Sequence, residues 1–374
     1  MNFDIEEEEK TTKRKKKKSN SKFLMYLSIF FALLTVVLII IYITSNRNSK
    51  PTQTVAPPTV VEEKEPEVKV VNVVDETSNQ RPIAVMLDNN IGNIPHAGLM
   101  NSYLNYEIIV EGGLTRIMAV YKDSNVQLIG PIRSARHYFL DYAMESDAIF
   151  IHYGWSPQAE KDIAKFGINN INGMTENTAF NRDTKLKSPH NVFSIKKNID
   201  SYLSTKGYNL SSDNWRLLKY SAEPVSLIES TSETNSTGTT LNTDARQASR
   251  VYIEYSSSEN RTYSYDSSNE YYLRSNNGAA HIDRMSNQQL HYKNIIIEKV
   301  ENKTIDAEGI QELTTCGTGT GFYITNGYAR PITWSKASRN GKTRFTYSDG
   351  TEVVFNDGNT FIQIVPITSN ITIQ

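Results

Sequence analysis

EGGLTRIMAVYKDSNVQLIGPIRSARHYF, residues 111–139, changes its period halfway along. TRIMAVYK (115–122) follows a Gly112-Gly113 break and reads as a β-strand. VQLIG (126–130) is a shorter run after a KDSN turn. From Ser134 the spacing becomes helical. SARHYFLDYAMES (134–146) places Ala135, Tyr138 and Tyr142 on one face, with Phe139 and Ala143 beside it. Ser134 is the expected N-cap, behind Pro131 and Arg133. Strands that feed a helix within one short stretch predict a layered α/β or α+β domain. Three arginines, Arg116, Arg133 and Arg136, stand in or beside these runs. They are either structural charge or an anion grip.

Working outward, PIAVMLDN (82–89) is an apolar strand that ends in Asp88 and Asn89, and YEIIVEG (106–112) is another strand. With 115–122 and 126–130 they predict a β-meander. DAIFIHYG (147–154) is strand-like. SPQAEKDIAKFG (156–167) is a helix capped by Ser156, with Pro157 in its first turn and Gly167 as its stop. VFSIKKNIDSYLSTKG (192–207) predicts a further helix. STSETNSTGTTLNTDA (230–245) lacks apolar content. After it come short strands, from RVYIEYS to TFIQIVP, separated by Asn-Gly and Asp-Gly pairs such as Asn326-Gly327 and Asp357-Gly358. GTGTG (317–321) has strand-like neighbours and no helix behind it, so it reads as hairpin sequence. The expected fold is an α/β (or α+β) domain at 81–222, a flexible linker at 223–246 and a mostly antiparallel β domain at 247–374.

FLMYLSIFFALLTVVLIIIYI (23–43) runs without a charge and is long enough to cross a hydrocarbon core of ~30 Å. It exceeds the ~7–15 residue core of a signal peptide, and no small-x-small cleavage site follows. KTTKRKKKKSNSK (10–22) precedes it, so the positive-inside bias puts residues 1–22 in the cytoplasm, in contact with anionic lipid. Residues 44–80, with Pro51, Pro57, Pro58 and Pro66, read as a disordered tether outside a cell membrane that the chain crosses once. The chain holds 40 basic and 41 acidic residues, and eight basic and five acidic ones precede residue 45. The remainder is therefore mildly acidic, which argues against a nucleic-acid partner. Cys316 is the only cysteine, so no intrachain disulfide forms and no thiol stands near the apolar segment to be acylated.

Arg133, Ser134 and Arg136 cluster where a helix is expected to start, and free N–H groups and the helix dipole favour anions there. Guanidinium suits phosphate and carboxylate. The competing reading is a structural ion-pair network with Glu111 and Asp141. Asp88 ends a buried strand, a common place for ligands in layered sheets, and is the candidate for holding a divalent cation such as Mg²⁺. Its competing reading is an Asx turn. His152, Arg182, His190 and Asn191 are further candidates. No HExxH, GxSxG or paired-cysteine pattern is present, so zinc and the common hydrolase triads have no support.

RPIAVMLDN, YEIIVEGGLTRIMAVY, IGPIRSARHYFLDYA, SPQAEKDI and SPHNVF, followed by YLRSNNG and RPITWSK, resemble the YerB-like lipoprotein family, whose two parts are catalogued as domains of unknown function. The resemblance covers roughly residues 80–365. It implies an exported, membrane-attached envelope protein of Gram-positive-type bacteria, here with a spanning helix in place of a lipidated cysteine. The order of Asp88, Arg116, Arg133 and Arg136 is also similar to that in LytR-CpsA-Psr enzymes, which use Arg and Asp around a pyrophosphate and a divalent cation. Two functions compete. One is an adaptor that binds cell-wall polymer or wall-synthesis partners. The other is an enzyme acting on phosphorylated or pyrophosphoryl lipid-linked glycans.

Overall fold

The computed structural model describes residues 21–45, 69–89, 96–228 and 244–374. Helix α1, Ser21–Ser45, carries the apolar segment, and Met25–Thr44 is long and apolar enough to cross a membrane. Its hydroxyls bond back to the preceding turn: Thr35 Oγ1 donates to the Phe31 carbonyl at 3.0 Å and Thr44 Oγ1 to the Ile40 carbonyl at 2.8 Å. Polar atoms in an apolar helix are thereby satisfied internally.

Residues from Glu67 to the C-terminus form a second unit. The strands that matter here are β1 Ile83–Asp88, β2 Leu104–Ile109, β3 Thr115–Tyr121, β4 Ile149–His152, β5 Asn170–Asn172 and β6 Val192–Ile195. They are followed by β7 Arg250–Ser256, β8 Glu259–Asp266, β9 Tyr271–Asn276, β10 Asn294–Val300, β11 Gly317–Thr325, β12 Tyr328–Lys336, β13 Thr360–Pro366 and β14 Ile371–Ile373. Helices α2 His137–Ala143, α3 Pro157–Phe166 and α4 Lys196–Lys206 complete the set.

One large mixed sheet runs β12-β11-β10-β13-β2-β3-β1-β4-β5. Its pairings are parallel at β10/β13, β13/β2, β1/β4 and β4/β5 and antiparallel elsewhere along this path. A smaller antiparallel sheet contains β9-β8-β7-β14. Alternation of side chains sorts the large sheet into two faces. Met86, Met118, Tyr106 and Ile108 meet α2 and α3 through Tyr138, Tyr142 and Ile163. Leu87, Ile117, Ile295 and Phe361 meet the smaller sheet through Val251, Ile253 and Tyr263.

Several expectations change. The strand order β2-β3-β1 is not a meander, because β3 lies between β2 and β1 while β1 pairs with β4. Leu128–Ile129 leaves the sheet and pairs with β6. VFSI (192–195) is strand β6, and the helix starts only at Lys196. Helix α3 has the expected caps: Ser156 Oγ accepts from the Ala159 N–H at 3.3 Å, and Gly167 is left-handed at φ 63°. The helix after Arg136 starts later than expected and has no side-chain cap. The backbone of 131–135 is engaged elsewhere. Arg133 N–H donates to the Met86 carbonyl and Ala135 N–H to the Gly154 carbonyl, both at 2.9 Å. Arg133 and Ser134 therefore lie in a bridging segment, and α2 has only seven residues.

Part of the expected tether is docked. The Asp357 carboxylate accepts from the Asn72 N–H at 2.9 Å and the Val73 N–H at 2.8 Å, and Val74 is buried. The expected linker is also partly packed, with Leu227 buried and Asp244 paired to Arg330. Residues 1–20, 46–68, 90–95 and 229–243 lie outside the described residues, and with them most of the tether and linker.

The segments before and after the linker share the large sheet, since β13 lies between β2 and β10. A protease that cuts within 229–243 should therefore leave two fragments that co-elute on size exclusion and separate only in denaturant. Separate native peaks would show that the two segments fold without each other.

Candidate anion-binding site

Asp88 and Arg116 are direct cross-strand partners at one end of β1 and β3. Both take the face that α2 covers. Arg116 is buried; its Nη1 donates to the Ser134 carbonyl at 2.6 Å, and its Nη2 lies 3.9 Å from a Glu111 oxygen. Arg136 grips Glu111 with two bonds, Nε to Oε1 at 2.5 Å and Nη2 to Oε2 at 2.9 Å. Burial and the charge of Arg136 pull the Arg116 guanidinium down to about 10, against the opposing pull of Glu111. Burial pushes the Glu111 carboxyl up, but Arg136 and Arg116 together hold it below its ordinary value.

Arg133 stands at the outer side of this group, with its Nε 3.2 Å from Asp88 Oδ2. The same Asp88 oxygen accepts from Nδ1 of His190. Asp88 is 4% exposed, against 19% for the Arg133 side chain and 18% for His190, so the carboxylate is the floor and the guanidinium and imidazole are the rim. The three expected arginines thus converge. They face the carboxylates of Asp88 and Glu111, which leaves one positive charge in surplus among these described residues with His190 neutral. Asp141 is not part of this group; its carboxylate pairs with Arg339 and Thr315. The Asp88 carboxylate is turned toward a guanidinium and an imidazole, and no group of three or more His, Cys, Asp or Glu that could hold a metal exists among the described residues.

Arg182 and Asn191 shape the loop that carries His190. Arg182 donates to Asn191 Oδ1 at 2.8 Å and to the Tyr153 hydroxyl at 3.1 Å. Asp183 in this loop pairs with Arg284 at 2.7 Å. His152 lies apart from the site. It is buried, with Nδ1 2.8 Å from the Gly154 carbonyl and Nε2 3.1 Å from Asn170 Oδ1. A cavity of about 630 Å³ opens beside α2 and α3, but its guanidinium, Arg339, is neutralised by Asp141 and Asp162. We therefore place the candidate site at Arg133.

A second charged group, unforeseen from sequence, underpins the first. Glu107, on the opposite face of the sheet, is fully buried and binds Arg261 Nε at 2.6 Å and Arg274 Nη2 at 2.7 Å. Arg261 also reaches Glu259 at 2.7 Å and the Thr115 hydroxyl at 2.7 Å. Asn89, next to Asp88, donates to Glu107 at 2.8 Å and to Thr115 at 2.7 Å. Burial pushes the Glu107 carboxyl up, and Arg261 and Arg274 outweigh it, leaving it below its ordinary value.

From Arg274 a directed chain of hydrogen bonds reaches the site. Arginine only donates, so Nδ1 of His281 accepts from Arg274 and its Nε2 carries the proton. That proton goes to Nδ1 of His96 at 2.7 Å. His96 must then carry its proton on Nε2, and it donates to the Asp88 carbonyl. Both imidazoles are neutral. Burial pulls His96 down to about 4, and burial with the Arg274 charge pulls His281 well below its ordinary value. β9, in the C-terminal segment, thus fixes the backbone of the residue that anchors the site.

The fold and this two-segment construction define a class before any relative is considered: a mixed α/β unit completed by a C-terminal β segment. Residues 70–209 match the family model "Protein of unknown function (DUF3048) N-terminal domain", and residues 251–362 match its C-terminal counterpart. The chain belongs to this two-part family, which has no assigned activity. It is 29% identical over 293 residues to a protein of Bacillus subtilis (strain 168) described as "Putative lipoprotein YerB", covering 77% of this chain and 82% of the relative. It also superimposes on the crystal structure of the Bacillus subtilis YerB protein with a TM-score of 0.68 and 26% identity, over 82% of this chain and 100% of that one.

Proposed function

We propose that this chain is a membrane-anchored extracytoplasmic envelope module that binds an anionic group of a cell-wall polymer or of a wall-synthesis partner at the Arg133 rim. One observation carries the reading. No side-chain nitrogen of Arg133 has a hydrogen-bond partner among the described residues: its buried Nε stands 3.2 Å from Asp88 Oδ2 as an ion pair only. Arg116 and Arg136 are committed to Ser134, Glu111 and Ala135, so they supply field rather than contacts. A preoriented guanidinium over a fixed carboxylate suits phosphate or carboxylate.

Inorganic phosphate at a hundred times its Kd should raise the stability of the wild type by about 2.7 kcal/mol. Arg133→Ala should melt within about 1 kcal/mol of wild type and show no response to phosphate. Arg136→Ala removes a charge-assisted pair and should cost about 2 kcal/mol. An undiminished phosphate response in Arg133→Ala would place the anion elsewhere.

For orientation, the basic run before the apolar helix supports a cytoplasmic N-terminus. Protease added to wall-less cells should digest residues after 44 and spare the first 22. A protected C-terminal unit would reverse this topology.

A further inference from the structure

We infer that His190, oriented by Asp88, is the general base of a phosphodiester-cleaving centre built on the anion site. This rests on the binding reading above and adds chemistry to it. His190 directs Nδ1 at Asp88, a carboxylate that is almost fully buried. If Nδ1 carries the proton, Nε2 is left as the basic lone pair. Among the described residues Nε2 has no hydrogen-bond partner, and the ring is partly open to solvent. A buried carboxylate behind an imidazole fixes its tautomer and stabilises the imidazolium formed when it accepts a proton.

Arg133 shares that carboxylate, so the base and the anion grip stand on one atom, Asp88 Oδ2. The Asp88 backbone is held in turn by His96, and its neighbour Asn89 by Glu107 and Thr115. Such fixed geometry is what acid–base chemistry requires of its scaffold.

The charge balance selects the substrate class. With His190 neutral, as a base must be, the arginine group has one positive charge in surplus. A phosphodiester carries one negative charge, whereas a monoester carries up to two. The loop that ends at His190 also bears exposed Lys185 and Lys187, a basic approach suited to a chain of phosphodiesters.

In the reaction a water oxygen attacks phosphorus while Nε2 of His190 takes its proton. The bond from phosphorus to the alcohol oxygen breaks, and that oxygen keeps the electron pair and takes a proton from solvent. The imidazolium then returns its proton to solvent. The products are a phosphomonoester and an alcohol, and Arg133 holds the non-bridging oxygens throughout.

The test uses the full chain in detergent with bis(4-nitrophenyl) phosphate, and reads release of 4-nitrophenol beside the melting response to inorganic phosphate. His190→Asn keeps a donor for Asp88 and removes Nε2. It should lower the rate by at least about 100-fold and keep the phosphate response. A wild type that responds to phosphate but releases no nitrophenol overturns the catalytic inference and leaves the binding reading standing. Wild-type rates in His190→Asn overturn the role of His190. Faster release from 4-nitrophenyl phosphate overturns the diester assignment. A wild type with no phosphate response removes the binding reading itself.

Discussion

Glu107→Gln is expected to lose about 3–5 kcal/mol of stability, because it leaves two buried guanidiniums with one counter-charge fewer. Glu107, Arg261 and Arg274 are all fully buried, and the two bonds to Glu107 are 2.6 and 2.7 Å long. Gln has nearly the same shape, so the loss is electrostatic and not a cavity effect. Glu259 still neutralises Arg261, but among the described residues Arg274 has no other carboxylate. Arg274 is also the first donor of the chain through His281 and His96 to Asp88. The variant should therefore bind phosphate more weakly as well, although Glu107 lies on the face of the sheet away from Arg133. Urea unfolding with phosphate titration reads both effects. Unchanged stability would mean that the pair is offset by desolvation. Lost stability with intact phosphate binding would mean that the chain does not position Asp88.

The contrast with Arg133→Ala shows what sequence could and could not reveal. The arginine cluster was visible because its members sit close in sequence, in 111–139. Their convergence follows from β1/β3 pairing, which sets Asp88 opposite Arg116. Strand alternation sets Arg116 on the opposite face from Ile117, the face that α2 covers. The ends of α3 were legible because Ser156, Pro157 and Gly167 act locally. The start of α2 was not. Its N-terminal segment is drawn into bridges to Met86 and Gly154 that lie far away in sequence.

Nothing local marks Glu107 as the partner of Arg261 and Arg274. The available signal was parity: Glu107 alternates with Tyr106 and Ile108 in a strand buried on both faces, and a charge there needs a buried partner. Choosing that partner requires knowing that β8 and β9 lie over β2, which depends on how two sheets pack. For the same reason the sequence does not announce that the segments on either side of the linker share one sheet. β13 enters the centre of that sheet from the far end of the chain. Its parallel pairing to β2 and β10 has no hairpin turn to announce it.

Glu298→Gln should leave stability nearly unchanged at pH 4.5 and raise it over wild type by about 4 kcal/mol at pH 8. Glu298 lies on β10, fully buried under α2, and accepts from the Tyr142 hydroxyl at 3.0 Å. Burial and the nearby Glu145 raise its carboxyl from 4.5 to about 8. The folded state therefore keeps a proton that the unfolded chain releases above 4.5. Stability from this group is fully present below 4.5 and is lost as pH rises through 8. Gln resembles the protonated acid and has nothing to lose. His96 acts with the opposite sign. Lowered from 6.5 to about 4, it contributes stability above 6.5 that is lost as pH falls through 4. Between 4.5 and 6.5 the two slopes oppose, so the wild type should be nearly flat there with respect to this pair. Between 6.5 and 8 the Glu298 slope stands without the His96 slope, and about 2 kcal/mol should be lost. Urea unfolding at pH 4.5, 6.5 and 8 separates these windows. Parallel wild-type and Glu298→Gln curves across that range would show that Glu298 is ionised in the fold.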